Sequence, residues 1–416
     1  MSGRSAPSEL SLVVFDLPLE PLYGGTLEVA GRIKALLVRG IRIHLHVLVH
    51  PDLHQQLRSG ALAAPDWVVQ LAGFHTYPRR LALQWWSLTP HAVTSRNSED
   101  LIRQLAQGPD HILVEGWQCT GFLGHTLLDS KKVWIRSHNR ESTYYLLQSD
   151  CASTLWKRWY YRAEAYKWSL YERSLLRRCR PSVQGVWSIC PHETEEWTRE
   201  GWPARYLPPF VPVEDRANDG AAIQGHLPDR PYVMYHGRMD IPENARALHE
   251  LTQGLFGKQG IPWVVAGSRL NFSQKQRLGQ IPGGLVEEQP DALRMQALVQ
   301  GAAVHCIPSY GRAGVRLKTI HAMYSDAHVL VRAAAGRGLP WESWLTLVPE
   351  DQDWLPWVDK ALRTPPDPAW TAARREWLRG HFDPDRCTVR MLEAMGLQGK
   401  TETRAGLAAQ SPEVFS

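Results

Sequence analysis

A glycine loop followed by two cations is the part of the chain whose residues most directly predict chemistry. The residues from Pro308 to Gly314 contain two glycines and no acidic residue, and they separate the apolar run Val304–Ile307 from a predicted helix over Val315–Tyr324. A strand that ends in such a loop presents free backbone amides and the positive end of a helix dipole to an anion. The pattern predicts a diphosphate site, most simply for a nucleotide-sugar donor. Its candidate substrate-binding residues are Tyr310, Gly314, Val315 and Arg316, with Lys318 as the candidate catalytic cation.

Polar side chains follow two predicted strands in the first half of the chain. Glu115 follows the run Ile112–Val114, and Arg136, His138, Asn139 and Glu141 follow the run Val133–Ile135. Ligands of open parallel sheets collect at the carboxyl ends of the strands, so both sets are candidates for substrate contact. His138 fits an acid or base near neutral pH, or a contact to the transferred sugar, and the alternative is a buried histidine bonded to a carbonyl. Arg136 and Glu141 fit either an ion pair or direct substrate contact, and Glu115 either orients the acceptor or pairs with Arg136.

Glycines close three further predicted strands. Gly24 and Gly25 lie between the apolar run Leu10–Phe15 and a helical pattern over Thr26–Arg39. Either they let the backbone approach a phosphate, or they make a tight turn. Gly237 and Arg238 follow the run Tyr232–Tyr235, and Gly267 follows the run Trp263–Ala266. A cation placed directly after a strand and a glycine is expected to point into a cleft, which makes Arg238 a second candidate catalytic cation.

These repeated strand, glycine turn and helix units predict an α/β fold of parallel, doubly wound sheets. A chain of 416 residues is too long for one ordinary core, so two domains are expected. The proline- and glycine-bearing stretch over residues 206–231 is the expected linker. The residues after 396 are polar and expected to be flexible.

Composition narrows the class of protein. Hydrophobic residues make up 44% and charged residues 21%, and no apolar run is long enough to span a membrane. The six cysteines lack metal-ligand spacing, and the first residues lack a secretory pattern, so we expect a cytoplasmic protein with reduced thiols and no metal. The basic, aromatic stretch Lys157–Arg180 predicts an amphipathic helix or a surface for anionic lipid or acceptor. It is accompanied by no nucleic-acid-binding module, so no nucleic-acid partner is expected.

Taken in order, the motifs resemble those of GT-B glycosyltransferases, specifically family 4 and its bacterial surface polysaccharide members. The resemblance covers about residues 10–390. It is carried by YGG at Tyr23–Gly25, ILVEGW at Ile112–Trp117, IRSHNRESTYY at Ile135–Tyr145, YHGRMDIPENARAL at Tyr235–Leu248, VVAG at Val264–Gly267 and PSYGRAGVRLKTIHAM at Pro308–Met323.

This resemblance implies two Rossmann-like domains that face each other across a cleft. Residues 1–205 would bind the acceptor and residues 232–370 the nucleotide sugar, and helices over residues 371–395 would cross back to the first domain. The implied activity is sugar transfer to a hydroxyl of a glycan or lipid-linked acceptor, with retention and with neither metal nor cofactor. Arg238 and Lys318 would then offset the charge of the leaving diphosphate. The implied location is the cytoplasm, with peripheral contact at the inner face of the membrane.

Three positions depart from that family's pattern. His321 stands where relatives carry a glutamate that binds the ribose hydroxyls, and a histidine cannot bind two hydroxyls as a carboxylate does. Glu243 stands near an expected lysine, and Ala313 near an expected acid. These departures leave open the alternative of a catalytically degenerate GT-B protein that binds glycan or a partner enzyme.

Overall fold

The computed structural model describes residues 8–18, 24–82, 86–179, 182–211, 227–311 and 313–399. Parallel strands form two separate sheets. The first sheet has seven strands in the order β3-β2-β1-β4-β5-β6-β7. Its strands are β1 (Glu9–Val14), β2 (Arg42–Val49), β3 (Gly73–Pro78), β4 (His111–Glu115), β5 (Lys132–Ser137), β6 (Val183–Ser188) and β7 (Ala204–Tyr206).

The second sheet has six strands in the order β10-β9-β8-β11-β12-β13. Its strands are β8 (Val233–Arg238), β9 (Trp263–Ser268), β10 (Gly284–Glu288), β11 (Val304–Ile307), β12 (His328–Arg332) and β13 (Thr346–Val348). In each sheet the chain order reverses once, between β1 and β4 and between β8 and β11. Ligands of doubly wound sheets bind at such reversal points, beyond the carboxyl ends of the strands.

Helices connect the strands as the glycine-turn pattern predicts. They are α1 (Gly24–Val38), α2 (Pro51–Ser59), α3 (His91–Thr94), α4 (Glu99–Gln107), α5 (Glu141–Cys151), α6 (Leu155–Cys179), α7 (Pro191–Arg199), α8 (Pro242–Gly254), α9 (Phe272–Gly279), α10 (Ala292–Gly301), α11 (Leu317–Met323), α12 (Ala333–Gly336), α13 (Trp354–Arg363), α14 (Pro368–His381) and α15 (Pro384–Met395). None of the described helices is both long and apolar enough to cross a bilayer.

The last helix packs on the first sheet's core. Met391, Leu392 and Met395 of α15 are buried with the residues of the first sheet. Arg39, just after α1, donates from Nε to Asp385 of α15 over 2.6 Å. The chain therefore returns to the first half after the second sheet is complete.

Helix α5 joins the two halves of the molecule. Leu147 and Cys151 of α5 pack with Ala313 of the glycine loop. The side-chain carbonyl of Gln148, also on α5, accepts a hydrogen bond of 3.2 Å from the backbone amide of Glu243 at the start of α8. The glycine loop therefore lies against the first half and not in open solvent.

Several element boundaries differ from the sequence-based prediction. The helix expected over residues 315–324 is α11, which begins at Leu317 and has Arg316 as its N-cap, so only Lys318 lies in the first turn. Tyr206 belongs to β7, and Phe210 is buried in the first core, so the expected linker begins within the first half of the molecule. The rest of that linker, residues 212–226, and the tail after residue 399 lie outside the described residues.

Candidate active site

A buried network of four charged side chains lies where the first sheet reverses its order. Glu28 and Arg32 are one turn apart on α1, and Glu115 is the last residue of β4. Arg32 pairs with Glu28 and donates from Nε to Glu115 Oε1 over 2.6 Å. These three side chains and that of Arg136 are fully buried. Neither Glu28 nor Arg32 was predicted as part of a site.

Arg136 is the fourth member and holds the chain after β7. Its guanidinium donates to Glu28 Oε1 over 2.6 Å and to the carbonyls of Leu207 and Pro208 over 2.8 and 2.9 Å. Burial alone would raise the pKa of Glu28, but the charges of Arg136 and Arg32 hold the pKa well below its usual range. The pairing of Arg136 with Glu141 or Glu115 was therefore the wrong expectation. The described hydrogen bonds of the Arg136 side chain go to Glu28, Leu207 and Pro208, and its contact with substrate stays a prediction.

His138 is where this network reaches the edge of the sheet. Its Nε2 lies 2.8 Å from Glu115 Oε2 and 3.7 Å from Glu28 Oε2, and the residue is 8% exposed. A carboxylate at this distance favours the tautomer with the proton on Nε2, which leaves Nδ1 as the basic nitrogen. Phe15 packs its ring edge-on against the imidazole. Glu115 therefore orients His138, and the imidazole is fixed by two contacts.

The ligand atoms of Glu28, Glu115 and His138 all lie within 4.8 Å of one another, which is a spacing that a metal ion can use. Both carboxylates are already bonded to guanidinium groups, since Arg32 contacts both and Arg136 contacts Glu28. A divalent cation here would lie beside two positive side chains, so the donor set fits an ion-pair network better than a metal centre.

Arg316 is committed to a carboxylate near the glycine loop. Its guanidinium donates to Glu243 Oε1 over 2.8 Å and also contacts the carbonyl of Ala313. Ser309 donates to the same carboxylate oxygen over 2.7 Å. Burial would raise the pKa of Glu243, but Arg316 and the Ser309 hydroxyl lower it below its usual value. Glu243, the residue near the position of the family's lysine, therefore neutralises one predicted diphosphate ligand.

Lys318 is half-buried, and no carboxylate is bonded to its ammonium among the described residues. Its Nζ donates to Asn244 Oδ1 over 2.8 Å, and to the Tyr235 hydroxyl and the His236 carbonyl over 3.3 Å each. Burial lowers the pKa of Lys318 to about 8, although the charge of Glu243 acts in the opposite direction. Asp326 pairs with Arg375 and not with Lys318. Within the described part of the chain, no ion pair includes Lys318.

Arg238 is the last residue of β8, the strand whose His236 carbonyl Lys318 contacts, but the Arg238 side chain is bonded to Asp240. Its guanidinium forms two hydrogen bonds with Asp240, of 2.8 and 3.1 Å, and is about one-third exposed. Asn244 links the two positions, because its amide donates to the Arg238 carbonyl over 2.9 Å while its oxygen accepts from Lys318. The two predicted catalytic cations therefore lie near each other at the reversal point of the second sheet, linked through Asn244.

Gly237 and Gly267 are required by the sheet itself. Both have φ of 153°, and a Cβ on Gly267 would lie 1.9 Å from the carbonyl oxygen of Gly237 on the neighbouring strand. A Cβ on Gly237 would lie 3.4 Å from Lys318 Nζ. These glycines therefore allow two strand ends and a lysine to approach each other closely.

The amide of Gly314 is occupied by a carboxylate from the other half of the molecule. Glu193 of α7 accepts a hydrogen bond of 2.7 Å from the Gly314 amide, and its other oxygen is buried without a hydrogen-bond partner. Burial raises the pKa of Glu193 to about 7. Gly314 has φ of 66°, and a Cβ there would lie 2.0 Å from Asn139 Oδ1. The loop that was expected to hold an anion is closed against His138 and Asn139 and already binds an internal carboxylate.

The remaining predicted site residues are bonded to, or packed against, other protein groups or lie at the start of a helix. Tyr310 donates to Glu250, and Val315 is packed in the core beside α11. Burial lowers the pKa of His321 to about 4, and burial raises the pKa of Glu141 to about 8. Gly24 and Gly25 are the first residues of α1, and their predicted approach to a phosphate stays a prediction.

A cleft opens beside the glycine loop, on the side of β12. Its polar side includes Ser309, Gly314 and Arg316, and its apolar side includes Leu339 and Trp341. Lys318, Arg238 and His138 do not line it. This cleft therefore does not bring the three predicted catalytic residues together.

Comparison with known proteins identifies the fold. No protein-family model matches the chain. An uncharacterized 44.6 kDa protein in the cps region of Klebsiella pneumoniae is 21% identical over 349 residues, which cover 80% of this chain and 84% of the relative.

Solved structures resemble the chain over nearly its whole length. Anabaena Alr3699/HepE in complex with UDP-glucose superposes with a TM-score of 0.59 at 10% identity, covering 93% of this chain and 99% of that one. S. aureus TarM, in a mutant form with fondaparinux, alpha-GlcNAc-glycerol and UDP, gives 0.60 at 8% identity, with coverage of 93% and 99%. AviGT4, a glycosyltransferase involved in avilamycin A biosynthesis, gives 0.53 at 15% identity, with coverage of 95% and 100%. The chain has the GT-B fold, as the motifs predicted.

Proposed function

We propose that this protein transfers a sugar from a nucleotide-diphosphate donor to a hydroxyl of a glycan or lipid-linked acceptor. The observation that carries the proposal is the half-buried ammonium of Lys318, whose three hydrogen-bond partners are all neutral oxygens. A buried charge without an opposite charge bonded to it is costly, and a diphosphate would supply that opposite charge. The GT-B fold and the UDP complexes of the HepE and TarM structures support the same donor class.

The roles of the other residues follow from their surroundings. Arg238 at the end of β8 and Arg316 just after the glycine loop are proposed to contact the diphosphate after exchanging their carboxylate partners, Asp240 and Glu243. His138, with Nδ1 as its basic nitrogen, is proposed to contact the transferred sugar or the acceptor hydroxyl. The proposed transfer proceeds with retention, through a front-face displacement in which the leaving phosphate helps to deprotonate the acceptor. It uses cationic side chains where other enzymes use a metal.

The proposal also assigns the acceptor and the donor to different halves of the molecule. Residues 1–205 would bind the acceptor, residues 232–370 the donor, and residues 371–395 would cross back. The proposed place of action is the cytoplasm, at the inner face of the membrane, where nucleotide sugars and lipid-linked acceptors meet.

Calorimetric titration of the protein with UDP and with GDP tests the donor site. We expect a dissociation constant in the micromolar range or below for one nucleotide, unchanged by EDTA. A panel of nucleotide sugars, followed by mass spectrometry, then identifies the donor, and NMR of the product's anomeric proton tests retention. Binding that requires a divalent ion would remove the metal-independent form of the proposal.

A catalytically degenerate GT-B protein is the second candidate. Two observations favour it: Glu193 occupies the Gly314 amide, and Glu243 neutralises Arg316. The absence of heat with every nucleotide, in a protein that melts cooperatively, would favour this candidate and contradict the transferase.

A further inference from the structure

Helix α6 presents an apolar and aromatic face to solvent. Leu155, Trp156, Trp159 and Tyr166 recur at helical spacing, and each is between 63% and 73% exposed. The opposite face of the same helix is buried and includes Trp168, Tyr171 and Leu175. Large exposed aromatic residues grouped on one helix are unusual in a protein that functions alone in water. The exposed face therefore predicts a partner.

The charge on this helix is divided between the same two faces. Both of its carboxylates are buried: Glu164 pairs with Lys167, and Glu172 accepts from the Ser142 hydroxyl over 2.7 Å. The exposed charged residues are all basic, namely Arg158, Arg162, Arg173, Arg177 and Arg178. The partner that fits this face is therefore apolar and negatively charged at its surface.

A loop of the first half also exposes apolar side chains, since Trp86 and Leu88 are 81% and 69% exposed. The amide of His91, three residues after Leu88, donates to Glu164 on the buried face of α6 over 2.8 Å. We call the exposed face of α6, with its aromatic residues and arginines, the aromatic-basic surface.

We propose that the aromatic-basic surface binds an anionic lipid bilayer. Tryptophan and tyrosine side chains favour the boundary between headgroups and acyl chains, and arginines next to them bind lipid phosphates. A protein partner of matching charge would need exposed carboxylates, and it would not require the aromatic residues to be mixed with arginines along the whole helix. The occupant is therefore the surface of a bilayer that contains anionic headgroups.

This inference deepens the proposed function and, for the acceptor, rests on it. The same helix reaches the boundary between the two halves, since Arg238 and Asp240 of the second half act on the pKa of Tyr161. A bilayer bound along α6 would place lipid-linked molecules next to that boundary. The acceptor class then narrows from a free glycan to a hydroxyl on a lipid-linked molecule.

Sedimentation of the purified full chain with vesicles tests the surface. The probe is a phosphatidylcholine vesicle with and without phosphatidylglycerol, at low and at high salt. We expect binding to the mixed vesicle at low salt, release at high salt, and no binding to pure phosphatidylcholine. Trp156→Ser with Trp159→Ser, and separately Arg162→Glu with Arg173→Glu, should each reduce binding by at least about tenfold.

The matched control is Phe272→Ser, which removes an exposed aromatic residue of the second half that is 81% exposed. Equal loss in this control, unchanged binding in both double variants, or binding that ignores lipid charge would each overturn the proposal. So would a dimer in light scattering that only the tryptophan variant dissociates, because the surface would then bind a second copy. The experiment contains no nucleotide, so its failure is separate from failure of the proposed transfer, which the nucleotide titration measures.

Discussion

The two reversal points of this molecule treat buried charge in opposite ways. At the first sheet, Glu28, Arg32, Glu115 and Arg136 neutralise each other completely, and only His138 reaches the edge. At the second sheet, the half-buried ammonium of Lys318 is bonded to neutral oxygens, while the carboxylate of Glu193, from the first half, accepts from a loop amide. The first arrangement is neutralised internally, and the second is the one that the proposed function completes with an anion.

This difference predicts that charged residues of the first sheet act on stability and that those of the second sheet act on ligand binding. A network whose charges cancel gains nothing from a ligand, and removing one member leaves another buried charge unpaired. A cation whose bonded partners are all neutral is instead expected to gain from a bound anion. Substitution of Arg136 tests the network of the first sheet, and substitutions of Lys318 and Glu193 test the second sheet.

Replacing Arg136 should have the largest effect, and on stability. Arg136→Met would leave Glu28 with one fewer guanidinium and two backbone carbonyls without their donor. Breaking a buried ion pair in this way typically costs about 3–5 kcal/mol. Urea unfolding should show this loss, whereas Arg205→Met, which changes an exposed arginine of β7, should lie within about 0.5 kcal/mol of wild type. Equal stability of the two variants would contradict the self-sufficient network.

Replacing Lys318 should act on transfer and donor binding. Lys318→Met removes the proposed diphosphate cation but keeps a long apolar stem, so transfer should fall by at least about 100-fold, a typical loss for one electrostatic contact of the transition state. Lys275→Met is the matched control, since Lys275 is exposed and pairs with Glu288 in the same half. An unchanged rate in a folded Lys318 variant would remove this residue from the site.

The pH dependence gives the same residue a second readout. Because burial lowers the pKa of Lys318 to about 8 from an ordinary value of 10.5, wild-type kcat/KM should fall as pH rises through about 8. For stability the sign is opposite: between pH 8 and 10.5 the unfolded lysine holds more protons than the folded one, so this residue's contribution to the free energy of unfolding rises with pH. The difference between wild type and Lys318→Met isolates both effects from the titration of buried tyrosines.

The sequence located the glycine loop and the strand ends because both depend on local residue types. Glu115 and His138 lie at the carboxyl ends of β4 and β5, and Lys318 lies in the first turn of α11, as expected. Glu28 and Arg32 were not found, since a glutamate and an arginine four residues apart usually form an exposed pair on a helix. Their apolar neighbours Val29, Ala30 and Ile33 are the signal that this stretch of α1 is buried.

The contact of Glu193 with Gly314 was beyond local reasoning for a different reason. A glutamate in the first turn of a helix is explained by the helix dipole alone, so its sequence environment indicates nothing more. Glu193 and Gly314 are 121 residues apart in the chain, and the closed arrangement of the two halves brings the carboxylate to the loop amide. Contacts of this kind depend on the placement of domains, which strand and helix patterns do not encode.

Replacing Glu193 should have the smallest effect, and it should improve binding. Glu193→Gln keeps an oxygen for the Gly314 amide but removes the negative charge that would compete with a diphosphate. We expect nucleoside diphosphate to bind about fivefold more tightly, which corresponds to roughly 1 kcal/mol. Calorimetry at fixed pH measures this, and Glu195→Gln, an exposed position on the same helix, is the control that should leave the affinity unchanged.

The pH dependence of this last change decides whether charge is the cause. Burial raises the pKa of Glu193 to about 7, so the wild-type carboxylate should lose its charge as pH falls through about 7. The affinity of the wild-type protein for nucleoside diphosphate should then approach that of Glu193→Gln. Glu196 and Arg316 also act on this carboxylate, with opposite signs, and both are present in the two proteins. A constant ratio of affinities from pH 6 to pH 8 would mean that shape, and not charge, distinguishes the variant. Packing, and not the charge of Glu193, would then limit nucleotide binding at the second sheet. The contrast with the first sheet would no longer depend on charge.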